Sequence, residues 1–219
     1  MNSYMSKRMA LSVTAAAVML SALGGCLPLV VGGALVGSLV VTDRRTSGSQ
    51  LEDEGIELRG AARIRSTVGE RGHINLTSYN RQVLLTGEVP TAQDKLLVEQ
   101  TIARVENVVS VVNELAVLGN STLGQRSSDV LVTGRIRAQF IDAADLSANA
   151  FKVVTERGTT YLMGRVTQRE ADRATNLVRA TSGVQKVVRI FEVISESELA
   201  RLQPPPAKAP PRGSIPTTN

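Results

Sequence analysis

Few side chains in this sequence are suited to catalysis. The 219 residues include one histidine, His73, and one cysteine, Cys26. A metal cluster or a Cys–His nucleophile needs more such side chains than the chain supplies. The carboxylates of Asp142 and Asp145 fall in an expected loop, where we interpret them as solvated charges rather than a buried acid–base pair. The sequence therefore predicts that the protein is not an enzyme and has no cofactor or metal site.

Nucleic acids and small-molecule substrates are not expected partners either. The net charge of +5 is modest, aromatic residues make up 3% of the chain and tryptophan is absent, so platforms on which bases would stack are missing. No glycine-rich phosphate loop with its Gly-Lys pair follows an expected strand. Membranes and other proteins remain as the partner classes to consider.

Cys26 lies in a pattern typical of covalent lipid attachment. Residues 1–25 are predicted to be a signal peptide, with two basic residues ahead of the apolar stretch Met9–Leu23. This stretch ends in Leu23-Gly24-Gly25-Cys26, which resembles the bacterial lipobox, where the cysteine is lipidated and becomes the new N-terminus. A signal peptide cut near Ala22 without lipidation is the alternative.

Residues 26–50 are predicted to form a lipidated apolar segment and a linker. Leu27–Val41 is apolar but is interrupted by one proline and three glycines, and it is shorter than the roughly 20 residues of a membrane-spanning helix. An uncleaved anchor formed with the preceding apolar stretch is the alternative. Leu27 occupies the place where retention in the inner membrane usually needs Asp, so the resemblance to lipoproteins points to the outer membrane.

An internal repeat organises the rest of the chain. Val83–Leu118 and Thr160–Ile194 each contain a short apolar strand with a glycine, then a threonine that is suited to cap a helix. The two threonines, Thr91 and Thr167, are 76 residues apart. A period this long predicts two similar small domains rather than a solenoid.

Each domain is predicted to have the order helix, strand, strand, helix, strand. The first domain, residues 51–118, has a helix from about Asp53, strands at His73–Thr77 and Val83–Thr86, a capped helix and a strand at Val108–Leu118. Residues 119–127 are a predicted linker. The second domain, residues 128–200, has a helix at about Asp129–Ile141, strands at Ala150–Thr155 and Thr160–Met163, a helix at Gln168–Ser182 and a strand at Val184–Ile194. Residues 201–219 are a Pro-rich tail that we expect to be disordered.

The predicted fold class is α+β, with two helices packed on a small three-stranded mixed sheet in each domain. Residues 51–118 carry 7 basic and 10 acidic residues, a net −3, whereas residues 128–201 carry 11 and 9, a net +2. Because the two domains differ in sign, we expect them to differ in partner.

The lipobox and the two repeated units together resemble one family, the dual BON-domain lipoproteins of the Gram-negative outer membrane, known as the DolP (YraP) family. The most specific stretches are Leu84–Pro90 and Tyr161–Ala171. The resemblance implies a lipid-anchored, periplasm-facing protein that binds anionic phospholipids and supports envelope integrity. Membrane docking would concentrate the protein where such lipids gather, including division sites. It also implies that the opening helix of the second domain contacts lipid.

The sequence of that helix has two apolar faces. Val132, Ile136 and Phe140 form a stripe suited to packing on the sheet, whereas the opening helix of the first domain shows mainly one stripe. The predicted phospholipid-contact residues lie on the other face: Val130, Leu131, Gly134, Arg135, Arg137, Ala138 and Ile141. Two alternatives stay open. This face packs against the other domain or the linker, or the protein is an adaptor for an outer-membrane assembly machine.

Overall fold

A computed structural model of the chain describes residues 43–202, in which one order of elements occurs twice. The first domain consists of α1 (Ser47–Val68), β1 (His73–Tyr79), β2 (Gln82–Val89), α2 (Ala92–Ala103), β3 (Ser110–Asn113) and β4 (Ala116–Val117). The second consists of α3 (Leu123–Asp142), a 3-10 turn (Ala148–Ala150), β5 (Phe151–Glu156), β6 (Thr159–Thr167), α4 (Gln168–Ala180) and β7 (Lys186–Ile194). A short helix, α5 (Glu196–Leu202), follows. The predicted α+β class and the order within each domain are confirmed.

Both opening helices begin earlier than predicted. The hydroxyl of Thr46 accepts from the backbone N–H of Ser49, so α1 begins at Ser47 rather than near Asp53. In α3 the side chain of Thr122 and that of Gln125 form a capping box, so this helix begins at Leu123 rather than at Asp129. Parts of the predicted linkers 26–50 and 119–127 are therefore helical.

The sheets are mixed, as predicted. In the first, β1 pairs antiparallel with β2, which pairs in parallel with β3 and with β4. In the second, β5 pairs antiparallel with β6, and β6 pairs in parallel with β7. The single strand predicted at Val108–Leu118 was wrong, because the chain turns inward at buried Leu115, whose N–H binds the side chain of Asn113.

A glycine in each central strand allows a close backbone contact. A Cβ at Gly87 would lie 2.0 Å from the carbonyl oxygen of His73, and one at Gly164 would lie 2.4 Å from that of Ala150. His73 is the first residue of β1, and Ala150 immediately precedes β5. The same close approach of two backbones therefore occurs in both hairpins. Gly87 also has a φ of +107°.

Each sheet has its helices on one face and the other sheet on its second face. The cores under the helices include Ile56, Val83 and Leu85 in the first domain and Ile136 and Leu162 in the second. Side chains that alternate with these on the strands form a third cluster shared by the two domains: Tyr79, Leu84, Tyr161, Met163 and Ile190. The result is a helix–sheet–sheet–helix arrangement, in which the backbone N–H of Arg165 donates to the hydroxyl of Tyr79 at 3.2 Å.

Candidate functional site

The inner face of α3 fixes the helix on its own sheet. Val132, Ile136 and Phe140 are buried in the core of the second domain, as the sequence predicts. Phe140 packs against Phe151, with ring centroids 4.9 Å apart. A Cβ at Gly183 would lie 2.6 Å from the side chain of Val132, so this glycine lets α3 approach the turn after α4 closely.

A buried aspartate fixes the rotation of α3 about its axis. The carboxylate of Asp129 accepts from the backbone N–H groups of Arg157, at 2.8 Å, and Gly158, at 3.0 Å. These two residues form the turn between β5 and β6 and both have positive φ values, of 50° and 73°. The carboxylate thus ties the helix to the hairpin that it covers.

The first domain repeats this connection through Asp53. Its carboxylate accepts at 2.8 Å from the backbone N–H groups of Asn80 and of Arg81, and at 2.7 Å from the hydroxyl of Ser78. Burial alone would raise the pKa of Asp53, but these hydrogen bonds and the guanidinium of Arg45 hold it below its usual value. The anchoring role of the two aspartates was not predicted, although they are 76 residues apart, which is the offset of the repeat.

The outer face of α3 is exposed along its length. Val130, Leu131 and Ile141 are 70%, 61% and 73% exposed, and the remaining predicted contact residues, Gly134, Arg135, Arg137 and Ala138, are exposed as well. Leu123, which is 78% exposed, extends the face by two helical turns. We call these eight residues the outer face of α3; it spans about 27 Å.

Leu123 was not predicted to belong to this face, because the first turns of α3 fall within the predicted linker 119–127. The signal that identifies them is the Thr122–Gln125 capping box, although Gly124 and the serines nearby favour a loop.

The two arginines of this face have no carboxylate partner among the described residues. Arg135 donates to the carbonyl oxygen of Ser182 at 3.3 Å, and Arg137 takes part in no hydrogen bond or ion pair within residues 43–202. Arg137 and Ile141 border a cavity of about 290 Å³ whose lining includes Phe140 and Asp43. The outer face therefore combines apolar side chains with uncompensated positive charge.

This face does not pack against the other domain in the part of the chain that the structure describes. Contact between the domains is made by the two sheets and by ion pairs such as Arg157–Glu88, at 3.2 Å, and Lys152–Glu57, at 2.7 Å. The alternative in which the outer face of α3 packs on the first domain is therefore wrong, whereas packing on residues 26–42 of the linker lies outside the described residues.

Two arginines ahead of α1 hold the entering chain against both domains. Arg44 is buried and its guanidinium binds Glu170 of α4 through two contacts, at 2.7 and 2.8 Å. Burial would raise the pKa of Glu170, but the hydrogen bond from Arg44 lowers it below its usual value. Arg45 binds Asp53 at 2.7 Å and lies 4.4 Å from the centre of the Tyr79 ring. The sequence analysis placed these arginines in a polar linker and missed their role.

Cys26 and the Pro-rich tail beyond Leu202 lie outside the described residues. Among residues 43–202, no helix combines the length and apolar character that crossing a bilayer requires. Within the same range, no group of three or more His, Cys, Asp or Glu side chains is placed to hold a metal ion.

Comparison with known proteins identifies the family. The BON domain model matches residues 59–119 and 128–195, together more than half of the chain. The outer membrane lipoprotein DolP of Haemophilus influenzae is 34% identical over 174 residues, which cover 78% of this chain and 90% of that protein. The chain belongs to the dual-BON DolP family. It is thus an outer-membrane lipoprotein of a non-catalytic family, as the sequence resemblance indicates.

Two further proteins are similar to this DolP-family chain. A protein named 21 kDa hemolysin, from Actinobacillus pleuropneumoniae, is 30% identical over 154 residues, covering 69% of this chain and 79% of that protein. A solved structure of CdsD, a structural protein of the type III secretion system of Chlamydia trachomatis, is 13% identical over 65% of this chain and 96% of that one, with a TM-score of 0.28.

Proposed function

We propose that the second domain docks on anionic phospholipid through the outer face of α3, while lipidated Cys26 anchors the chain in the outer membrane on its periplasmic side. The observation that carries this proposal is an exposed apolar helix face bordered by arginines without carboxylate partners. Shallow insertion of leucine, valine and isoleucine removes apolar surface from water, and the arginines add attraction to anionic headgroups.

The place where the described chain begins supports docking on the membrane that holds the anchor. Asp43 lines the same cavity as Arg137 and Ile141, at the C-terminal end of the outer face. Buried Arg44 holds this segment on the second domain through Glu170. The described chain therefore begins beside the proposed docking face. Engagement beyond the acyl chains would concentrate the protein where anionic lipids gather, including division sites, and so support envelope integrity.

The test is flotation of the unlipidated chain with liposomes that contain phosphatidylglycerol or are purely zwitterionic. The chain should begin at Val41, so that it keeps Arg44 and Arg45, which together bind both domains. We expect binding to the anionic vesicles alone, with a loss on Leu131→Glu and a decrease as salt rises.

Leu58→Glu is the matched control, since Leu58 is an equally exposed leucine on the opening helix of the first domain. Binding should survive this change. Lack of binding to either vesicle, or an equal loss in both variants, would refute the proposal and favour the adaptor hypothesis.

A further inference from the structure

The two domains carry equivalent grooves between the opening helix and the edge strand of the sheet. In the first domain the groove has a volume of about 490 Å³ and its lining includes Ile64 and Arg65 of α1 and Ile74 and Leu76 of β1. In the second domain the same positions of the repeat are Phe140, Ile141, Phe151 and Val153, which line the cavity of about 290 Å³. The first groove is the roomier of the two.

The edge of β1 presents backbone groups to this groove. Strands β1 and β2 are antiparallel and are joined by a two-residue turn between Tyr79 and Gln82. These two residues therefore form backbone hydrogen bonds with each other, and so does every second residue pair farther along the two strands. Ile74, Leu76 and Ser78 therefore direct their N–H and C=O groups away from β2. The contacts of Ser78 agree with this orientation, because its N–H donates to the carboxylate of Glu57 at 2.8 Å and its carbonyl oxygen accepts from Lys152 at 3.1 Å, both outside the sheet.

Only the hairpin end of this edge is closed by side chains. No described residue forms a hydrogen bond with the outward N–H or C=O of Ile74 or Leu76. Proteins usually block such an edge with lysine, proline, a bulge or a covering element, because an open edge pairs with another strand. Here the open part of β1 lies within the groove.

The side chains around the open edge define what would fit. The side chains of Ile74 and Leu76 pack on the helix-side core, and Ile64 lies beside them, so this side of the groove is apolar. The groove is lined by two arginines, Arg65 and Arg126, and one acid, Glu70. Within residues 43–202 neither arginine forms an ion pair, and the guanidinium of Arg126 binds only the carbonyl and hydroxyl oxygens of Ser121.

We propose that the first domain binds an extended acidic segment of a partner protein as an added strand on β1. Main-chain hydrogen bonds to Ile74 and Leu76 would supply affinity, and alternate side chains would supply specificity. Apolar residues of the segment face Ile64, and its carboxylates face Arg65 and Arg126. This site is separate from the outer face of α3, so it does not depend on lipid docking.

The test uses hydrogen exchange of the full lipidated chain in nanodiscs, resolved to single amides, with three blocked hexapeptides that alternate valine with aspartate, lysine or serine. At a concentration ten times its Kd, the aspartate peptide should slow exchange at Ile74 and Leu76 about tenfold. The amides of Phe151 and Val153, on the equivalent edge of the second domain, serve as the internal control and should not change.

N-methylation separates strand addition from nonspecific contact. Methyl groups on the alternate peptide amides that face β1 should abolish binding, whereas methyl groups on the other amides should leave it intact. Arg65→Glu together with Arg126→Glu should shift the preference from the aspartate peptide to the lysine peptide.

Four results would overturn the proposal: no binding by any peptide at millimolar concentration, protection at other amides, indifference to the N-methyl pattern, or protection of Ile74 and Leu76 before any peptide is added. The last result would mean that the chain itself, or a second copy of it, already covers the edge.

Discussion

Helices α1 and α3 occupy equivalent places in the repeat but present different surfaces. Both place a buried aspartate on a hairpin turn and a stripe of apolar side chains on a sheet. Their outer faces differ at six of the eight equivalent positions. Glu54 and Gly55 of α1 correspond to Val130 and Leu131 of α3. The inner face is set by the fold that the domains share, and the outer face is free to differ in function.

Apolar exposure alone does not separate the two helices. The stripe predicted on α1 is buried, but Leu51 and Leu58 lie outside it and are 71% and 74% exposed. The two helices differ in charge pairing at one equivalent position. Arg59 of α1 pairs with Glu52 at 2.6 Å, whereas Arg135, its equivalent in α3, donates only to a carbonyl. At this position the second domain therefore leaves positive charge without a carboxylate partner, where the first domain pairs it.

Substitution of the two equivalent aspartates, Asp53 and Asp129, should have the largest effect, which is on the free energy of unfolding. Asp53→Ala leaves three hydrogen-bond donors without their acceptor and removes one of the two carboxylates that bind Arg45, so we expect a loss of about 3 kcal/mol in the free energy of unfolding. Asp129→Ala removes two bonds and should cost about 2 kcal/mol. Urea denaturation measures both, with exposed Glu54→Ala as the control. Equal losses in all three variants would refute the anchoring role.

Neutralising the two arginines of the outer face of α3 should have the next largest effect, which is on affinity for anionic membranes. Arg135→Gln with Arg137→Gln should weaken binding to anionic vesicles by about 2 kcal/mol at low salt, since each cation near such a surface contributes about 1 kcal/mol. Arg59→Gln with Arg63→Gln removes the same charge from α1 and should leave affinity unchanged. Titration with vesicles measures this difference, and an equal decrease for both pairs would mean that only net charge matters.

The pH dependence of stability tests the junction between the domains. Burial raises the pKa of Glu156 above its usual value, and the hydrogen bond from Asn75 offsets only part of that effect. The folded chain therefore holds this proton more tightly than the unfolded chain, and the ionised carboxylate opposes folding as the pH rises through the folded-state pKa. Glu156→Gln should raise the free energy of unfolding at pH 7.

This gain from Glu156→Gln should vanish below about pH 4, where the wild-type carboxyl is neutral in both the folded and the unfolded chain. Denaturation at a series of pH values measures it, with Glu54→Gln as the exposed control. A loss of stability at pH 7 would contradict the assignment.

Local signals in the sequence predicted the repeat, the order of elements and the exposed side of α3. The packing of the two sheets was not predicted, although Leu84 and Leu85, like Leu162 and Met163, are consecutive apolar residues on central strands, which indicates burial of both faces. Arg44 was missed for a different reason. A single arginine after an apolar segment carries no periodic pattern, and its partner Glu170 is 126 residues away.

Replacing two glycines of the opening helices by alanine should have the smallest effect on the free energy of unfolding, and the two changes should differ in sign because the glycines occupy unlike environments. A Cβ at Gly134 of α3 would meet no atom within 4 Å, so Gly134→Ala should add about 0.5–1 kcal/mol to the free energy of unfolding by favouring the helix. A Cβ at Gly60 of α1 would lie 2.4 Å from the side chain of Leu76, so Gly60→Ala should instead lower it, because the core has to move. Thermal denaturation distinguishes the two signs. Stabilisation by both changes would show that α1 is not pressed against β1.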